Sequence, residues 1–150
     1  MRKLIAVVGG GDEDPVRDIL AEQVGRLIAQ ADCALVNGGL GGVMRACAKG
    51  AREAGGLTFG LLPGSRSSDA NEFIEVAVPT GLGEMRNALI VRAAAAVIAI
   101  GGGYGTLSEI ALALKTGKPV VGLKTWDISP DVLKAASPEE AVRLALEAAS

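Results

Sequence analysis

The stretch that decides the fold is AIGGGYGTLSEIA, residues 99–111, in which an apolar run is followed by four glycines, a threonine and a glutamate. An apolar run before a glycine turn, with a helical pattern after it, predicts a strand, a tight loop and a helix. The loop has two interpretations at this point. It is either a turn that permits close packing of strand and helix, or a site where bare amides at a helix N-terminus hold a phosphate.

The same succession of apolar run, turn and helical pattern recurs along the chain. Six apolar runs predict strands, at residues 4–11, 33–39, 57–63, 74–78, 96–100 and 119–123. Helical spacing predicts helices at residues 16–31, 43–54 and 106–115, another from the turn at 81–83 to about 94, and a last one begun by a capping box at 137–140. This alternation predicts an α/β fold, a doubly wound parallel sheet of six or seven strands with helices on both faces.

Length and composition exclude several classes of function. The 150 residues are expected to form one domain, and their net charge of −2, with both signs interspersed, predicts no nucleic-acid partner. No apolar run approaches the roughly 20 residues that cross a bilayer, and the first is too short for a signal peptide. We therefore expect no membrane association and a soluble, cytoplasmic protein.

Metal and histidine chemistry are not expected either. The sequence contains no histidine, and its two cysteines, Cys33 and Cys47, form no CxxC pair. This argues against a zinc site of the usual Cys/His kind and against a Ser-His-Asp triad. We expect no metal and no cofactor, so that any chemistry depends on carboxylates, arginines and backbone groups.

The candidate site lies on the loops that follow the predicted strands. Doubly wound sheets bind ligands beside the carboxyl ends of their strands, and three loops at that edge are rich in glycine. None of them fits the dinucleotide pattern GxGxxG, and GKP at residues 117–119 is no P-loop. We predict a nucleotide or phosphate site that includes Gly9, Gly10, Gly38, Gly39, Asn87, Gly102, Gly103, Gly105 and Thr106.

Three side chains are expected at the same edge. Arg86 and Asn87 lie near the start of one predicted helix, and Glu109 lies in the first turn of the next. Two of them also have a purely structural interpretation. In this interpretation Glu109, as a carboxylate in a first turn, stabilises the helix dipole, and Arg86, like many arginines, is an exposed surface charge.

Residues 81–109, GLGEMRNALIVRAAAAVIAIGGGYGTLSE, resemble the signature region of the Lonely Guy (LOG) family, Rossmann-like proteins long mislabelled as lysine decarboxylases. Those proteins carry MxxRK and then PGGxGTxxE, and the spacing from Arg86 to the glycine loop matches without a gap. Upstream, residues 35–56 resemble the family segment YGGGxxGLMG, and GLLPGS resembles its GxxP element. The resemblance covers residues 5–123.

The resemblance implies a nucleoside 5′-monophosphate phosphoribohydrolase, which hydrolyses the N-glycosidic bond and releases the base and ribose 5-phosphate. It implies a homodimer or larger assembly, with the site near a subunit interface. The family's catalytic arginine and glutamate fall on Arg86 and Glu109, and its phosphate loop falls on Gly102, Gly103, Gly105 and Thr106. A carboxylate there would stabilise the positive charge that develops on the sugar or orient the attacking water.

The sequence departs from the LOG motifs at four positions. Gly101 replaces the proline, Asn87 the lysine, Gly83 the methionine, and Ser108 the first acid of the usual Glu-Glu pair. The RN pair is similar to a sister branch that holds molybdenum-cofactor carrier proteins and uncharacterised nucleotide-binding proteins. Two alternatives to the hydrolase therefore stay open: a non-catalytic carrier or sensor of a nucleotide-like or molybdopterin-type ligand, and a structural or assembly module.

Overall fold

A parallel sheet of seven strands forms the centre of the protein, as described by a computed structural model for residues 1–149. The strands are β1 (Leu4–Gly9), β2 (Ala34–Asn37), β3 (Thr58–Leu62), β4 (Val76–Pro79), β5 (Ala96–Ile100), β6 (Val120–Leu123) and β7 (Leu133–Lys134). They lie in the order β4-β3-β2-β1-β5-β6-β7, and all neighbours are parallel. The predicted α/β, Rossmann-like class is confirmed.

Helices cover both faces of this sheet. They are α1 (Pro15–Gln30), α2 (Val43–Glu53), α3 (Asn87–Ala93), α4 (Tyr104–Lys115) and α5 (Pro138–Ala148). Helices α1, α2 and α5 pack on one face and α3 and α4 on the other, so that alternate residues of β1 enter two separate apolar cores. The longest helix has 16 residues, and none within residues 1–149 has the length and apolarity needed to cross a bilayer.

Local capping explains where two of the helices begin. The Asp14 carboxylate accepts hydrogen bonds from the backbone N–H groups of Val16 and Arg17, at 3.1 and 3.2 Å. The hydroxyl of Ser137 accepts a hydrogen bond from the N–H of Glu140 at 3.1 Å. The carboxylate of Glu140 accepts in turn from the N–H of Ala136 at 3.0 Å. The predicted capping box is therefore present, with its second bond displaced by one residue.

The helix before β5 and the last strand differ from the sequence prediction. The predicted helix that ends near residue 94 is divided into a 3₁₀ turn, Gly83–Arg86, and the short helix α3. Gly81 and Gly83 have φ values of +66° and +59°, in the turn that precedes α3, and the regular α-helix begins only at Asn87. The seventh strand, β7, contains only two residues, which is too short for a periodic pattern to predict.

The order of the strands places the glycine loops side by side. From β1 the chain moves outward to β4, and then returns to lay β5 against the other side of β1. Gly9, the last residue of β1, lies opposite Ile100, the last residue of β5. The loops that follow these two strands therefore leave the sheet together, at the point where such folds bind ligands.

Helices α1 and α2 pack backbone against backbone through two glycines. A Cβ atom at Gly25 of α1 would collide with the carbonyl oxygen of Cys47 in α2. A Cβ atom at Gly50 of α2 would collide with the carbonyl oxygen of Glu22 in α1. These glycines therefore set the distance between the two helices, and through it the position of the apolar side chains beneath them.

We expect Gly25→Ala and Gly50→Ala each to lower the free energy of unfolding by about 3 kcal/mol, because the added methyl group must separate the helices. Gly105→Ala in α4 is the matched control, since its Cβ would approach no atom nearer than 4.0 Å. Urea unfolding monitored by circular dichroism measures all three variants. A loss for Gly105→Ala as large as that for Gly25→Ala would contradict the assignment.

Candidate functional site

A cavity of about 460 Å³ opens at the carboxyl edge of the sheet, between the loops that follow β1 and β5. Its volume lies within the range of small-ligand pockets. Among the residues that line it are nine of the predicted site residues: Gly9, Gly10, Gly38, Arg86, Asn87, Gly103, Gly105, Thr106 and Glu109. Tertiary structure thus brings together groups from four separate segments of the chain.

The other two predicted site residues, Gly39 and Gly102, do not line the cavity. They have φ values of +80° and +98°, in the left-handed region, and so allow their loops to turn. The N–H of Gly39 donates to Oδ1 of Asn37 at 2.8 Å, and a Cβ at Gly102 would collide with the side chain of Thr106. These two glycines shape the site without facing it.

Arg86 is buried in the wall of the cavity, with 8% of its surface exposed. Its Nη1 donates to Oδ1 of Asn87 at 2.8 Å and its Nη2 to the carbonyl oxygen of Gly38 at 3.4 Å. A Cβ at Gly38 would lie 2.7 Å from Nη2, so the glycine provides the room that the guanidinium occupies. Within residues 1–149 the buried Nε of Arg86 has no hydrogen-bond partner.

Asn87 and Ser108, two of the departures from the LOG motifs, connect Arg86 to the first turn of α4. Nδ2 of Asn87 donates to Oγ of Ser108 at 3.3 Å, and Ser108 donates to the carbonyl oxygen of Gly105 at 2.6 Å. A continuous chain of hydrogen bonds therefore runs from the guanidinium, through Asn87 and Ser108, to the carbonyl oxygen of Gly105. The side chains that replace the family's lysine and acid orient the arginine.

Glu109 lies in the second turn of α4, because the helix begins at Tyr104 and not at the predicted Thr106. The interpretation of Glu109 as a first-turn carboxylate that stabilises the dipole is therefore wrong. The residue is buried, with 7% of its surface exposed, and it lines the cavity.

Burial also changes the protonation of this pair. Desolvation raises the pKa of Glu109 to about 8, although the positive charge of Arg86 acts in the opposite direction. Desolvation lowers the pKa of Arg86, and the negative charge of Glu109 opposes that change, but a guanidinium still keeps its proton at neutral pH. At pH 7 the site therefore holds a cation beside a neutral carboxylic acid.

The N-terminus of α4 is open to the cavity. Gly103 is the N-cap residue and makes no side-chain cap, and the first backbone N–H groups of a helix have no partner within it. A Cβ at Gly103 would meet nothing within 4 Å, and one at Gly105 nothing closer than 4.0 Å, while neither residue has a positive φ. The space beside these two glycines is therefore open.

Sequence reasoning missed other side chains of the cavity wall: Asp12, Leu40, Met44, Pro63, Glu84 and Ile90. Only Pro63 belongs to a motif that the sequence analysis identified, the GxxP element. The others lie in loops or on helix faces where nothing in the local pattern distinguishes a cavity wall from the core or the surface. No group of three or more acidic, cysteine or histidine side chains within residues 1–149 is placed to hold a metal ion.

We expect the free energy of unfolding to fall as pH rises from about 4.5, the ordinary pKa of a glutamate, through about 8, its pKa in the fold. Over that interval the folded protein holds a proton on Glu109 that the unfolded chain releases. Glu109→Gln should remove this part of the pH dependence and be more stable than the wild type at pH 9. Urea unfolding at pH 5, 7 and 9 measures it, with exposed Glu139→Gln as the control. Parallel pH profiles for Glu109→Gln and the wild type would contradict the expectation.

Comparison with known proteins identifies relatives over nearly the whole chain. The sequence is 47% identical to an uncharacterised protein of Archaeoglobus fulgidus, over 92% of this chain and 91% of the relative. The structure is similar to that of the molybdenum cofactor binding protein of Rippkaea orientalis, with a TM-score of 0.94 and 37% identity, over 100% and 99% of the two chains. It is also similar to the molybdenum cofactor carrier protein of Chlamydomonas reinhardtii, with a TM-score of 0.90 and 32% identity over 99% and 98%.

These findings confirm the resemblance to LOG-like Rossmann proteins and to the branch that holds molybdenum-cofactor carriers. The model of the SLOG cluster4 family matches residues 2–149. Since this match covers almost the whole chain, the protein belongs to the SLOG cluster4 family.

Proposed function

We propose that this protein binds a phosphate-bearing, nucleotide-like ligand in the cavity and carries it without reaction. The ligand class that we favour is the molybdenum cofactor, a pterin with a phosphate group, because relatives that share 37% and 32% of the sequence are a molybdenum cofactor binding protein and a carrier protein. The domain of residues 1–150 would bind this ligand and release it unchanged.

The observation that carries the proposal is the buried guanidinium of Arg86 in the cavity wall, whose Nε has no hydrogen-bond partner within residues 1–149. A buried donor without a partner costs about 1–3 kcal/mol, so a fold that keeps one in a cavity wall has a use for it. Nη1 and Nη2 already donate to Asn87 and Gly38, which holds the guanidinium in one orientation. An anion in the cavity would pair with the positive charge of this guanidinium.

The residues of the cavity fit a ligand with a phosphate at one end. Backbone amides at the N-terminus of α4, at Gly103 and Gly105, together with the hydroxyl of Thr106 and the charge of Arg86, would hold the phosphate. The remaining volume, bounded by apolar side chains such as Met44 and Ile90, would accommodate a flat heterocycle. The bound cofactor would be cargo, released intact.

The protonation of Glu109 favours carriage over hydrolysis. Cleavage of a ribosyl bond develops positive charge on the sugar, and an ionised carboxylate stabilises that charge. With a pKa of about 8, Glu109 is largely neutral at pH 7 and supplies little negative charge to stabilise such a cation. An anionic ligand beside it would favour the neutral form further.

Hydrolysis of nucleoside 5′-monophosphates is the second candidate. The observation that favours it is that Arg86 and Glu109, which match the catalytic pair of LOG enzymes, line one cavity. If Glu109 acts as a carboxylate, turnover should increase as pH rises through about 8.

To test carriage, the purified protein is titrated with molybdenum cofactor released from a molybdoenzyme, and bound pterin is measured after gel filtration. We expect Arg86→Gln to weaken binding about 10- to 100-fold, because a hydrogen bond to a charged group is lost. Arg92→Gln, an equal change of charge at an exposed position of α3, should bind like the wild type. Retention of the pterin by Arg86→Gln at wild-type affinity would contradict the assignment.

To test hydrolysis, wild type and Glu109→Gln are incubated with adenosine, guanosine, cytidine and uridine monophosphates, and free base is followed by chromatography. The carrier hypothesis predicts no release by either protein, with thermal stabilisation of both by bound ligand. Release by the wild type that the variant loses would replace carriage with phosphoribohydrolase activity.

Gly105→Ala should change the stability of the fold and the affinity for phosphate in opposite directions. The substitution should raise the free energy of unfolding by up to about 1 kcal/mol, because alanine favours a helix more than glycine. It should also weaken phosphate binding about 10-fold, because the new methyl group lies where the ligand approaches. Calorimetric titration with adenosine monophosphate and urea unfolding measure the two effects. Stronger or unchanged binding would contradict the role of the loop.

A further inference from the structure

A neighbouring loop fixes the backbone that precedes α4. This bracing loop, residues 124–126, follows β6 and makes three hydrogen bonds to the glycine loop. The N–H of Gly101 donates to the carbonyl oxygen of Lys124 at 3.1 Å, and Oγ1 of Thr125 donates to the carbonyl oxygen of Gly101 at 2.6 Å. The indole Nε1 of Trp126 donates to the carbonyl oxygen of Gly103 at 3.1 Å.

The bracing loop has an unusual backbone conformation at its first residue. Lys124 has a φ of +54°, in the left-handed region that residues with a side chain rarely adopt. In this conformation its carbonyl group reaches the N–H of Gly101. Strain of this kind persists where surrounding contacts determine it, and such positions cluster at functional sites.

Each of these bonds determines the direction of a peptide group. In a trans peptide the C=O and the N–H point in opposite directions, and no cis peptide occurs in residues 1–149. The carbonyl oxygen of Gly103 accepts from the N–H of Leu107 at 3.0 Å as well as from Trp126, and these two donors together set the direction of the N–H of Tyr104. That N–H is the first of the α4 amides that have no partner within the helix.

We propose that Trp126 is a positioning residue that orients the anion-binding peptide of Gly103 and Tyr104, and that Thr125 anchors the start of the same loop. Neither side chain lines the cavity, so both act through the glycine backbone. This inference rests on the proposed phosphate site.

Preorganisation of this loop has a physical benefit. Glycine loses more conformational freedom than any other residue when it is ordered, and three of them occur in succession here, at residues 101–103. If the fold has already fixed the loop, the ligand does not have to order it on binding. The donor to Gly103 also polarises its peptide group, which strengthens the N–H as a donor to an anion.

The aromatic contact of Trp126 is a second way in which this residue holds the loop. A test has to distinguish the ring stacking from the hydrogen bond of the indole N–H. The rings of Tyr104 and Trp126 are stacked, with centroids 6.2 Å apart and planes at 23°. If the stack alone held the loop, the indole N–H would be dispensable. Trp126→Phe keeps an aromatic ring and removes the N–H, whereas Tyr104→Ala removes the stack and leaves the N–H in place.

The experiment is a titration of ¹⁵N-labelled full chain with inorganic phosphate and then with adenosine monophosphate, followed at the amide of Tyr104. We expect Trp126→Phe and Thr125→Val each to weaken binding of both probes about 3- to 10-fold, the loss of one hydrogen bond. They should also reduce the change in the Tyr104 amide shift at saturation. Thr125→Ser should restore affinity, because it returns the hydroxyl.

Thr116→Val is the matched control for a purely structural effect. Oγ1 of Thr116 donates to the carbonyl oxygen of Leu112 at 2.8 Å, at the opposite end of α4. This variant should lower the melting temperature and leave the affinity for phosphate unchanged. Affinity that follows melting temperature across all the variants would overturn the positioning role.

Two other results would also overturn it. Wild-type affinity in both Trp126→Phe and Thr125→Val, or a loss in Tyr104→Ala equal to that in Trp126→Phe, would contradict the role of the indole N–H while the proposed function stands. If the wild type itself binds neither probe and the Tyr104 amide does not shift, the phosphate site and its positioning residues fail together.

Discussion

The pairing of β1 with β5 is the constraint on which the site depends. It joins strands that are distant in sequence and sets Gly9 beside Ile100 at the carboxyl edge of the sheet. A side chain at Gly9 would place its Cβ 2.6 Å from the carbonyl oxygen of Ile100 and 2.7 Å from the side chain of Val43. The glycine therefore allows α2 to pack over the end of the β1–β5 pair, and the cavity opens next to that contact.

Within the cavity, one buried charge determines the chemistry. Arg86 is held by Asn87 and by the carbonyl of Gly38, and a low-dielectric wall surrounds it. Glu109 is buried near it, but the attraction between them does not overcome the desolvation of the carboxylate. Arg86 therefore stays a cation while Glu109 is largely protonated at pH 7, and the carboxylates of Asp12 and Glu84 also line the cavity.

The departures from the LOG motifs have a structural counterpart. Asn87 stands where the family has lysine and Ser108 where it has an acid, and together they join the guanidinium to the first turn of α4. Exchange of a charged pair for a neutral hydrogen-bonded pair leaves Arg86 as a cation held by neutral partners.

The sequence by itself determined the α/β class, six of the seven strands, the capping box at Ser137 and the edge of the sheet on which the cavity lies. Those features depend on periodicity, glycine turns and capping residues, which are local. Only the tertiary structure decided that Gly39 and Gly102 do not line the cavity, that Glu109 is buried with a raised pKa, and that Trp126 reaches the carbonyl of Gly103. Each of these depends on contacts between segments that are not adjacent in the chain, and desolvation and hydrogen-bond geometry are properties of such contacts that no local pattern contains.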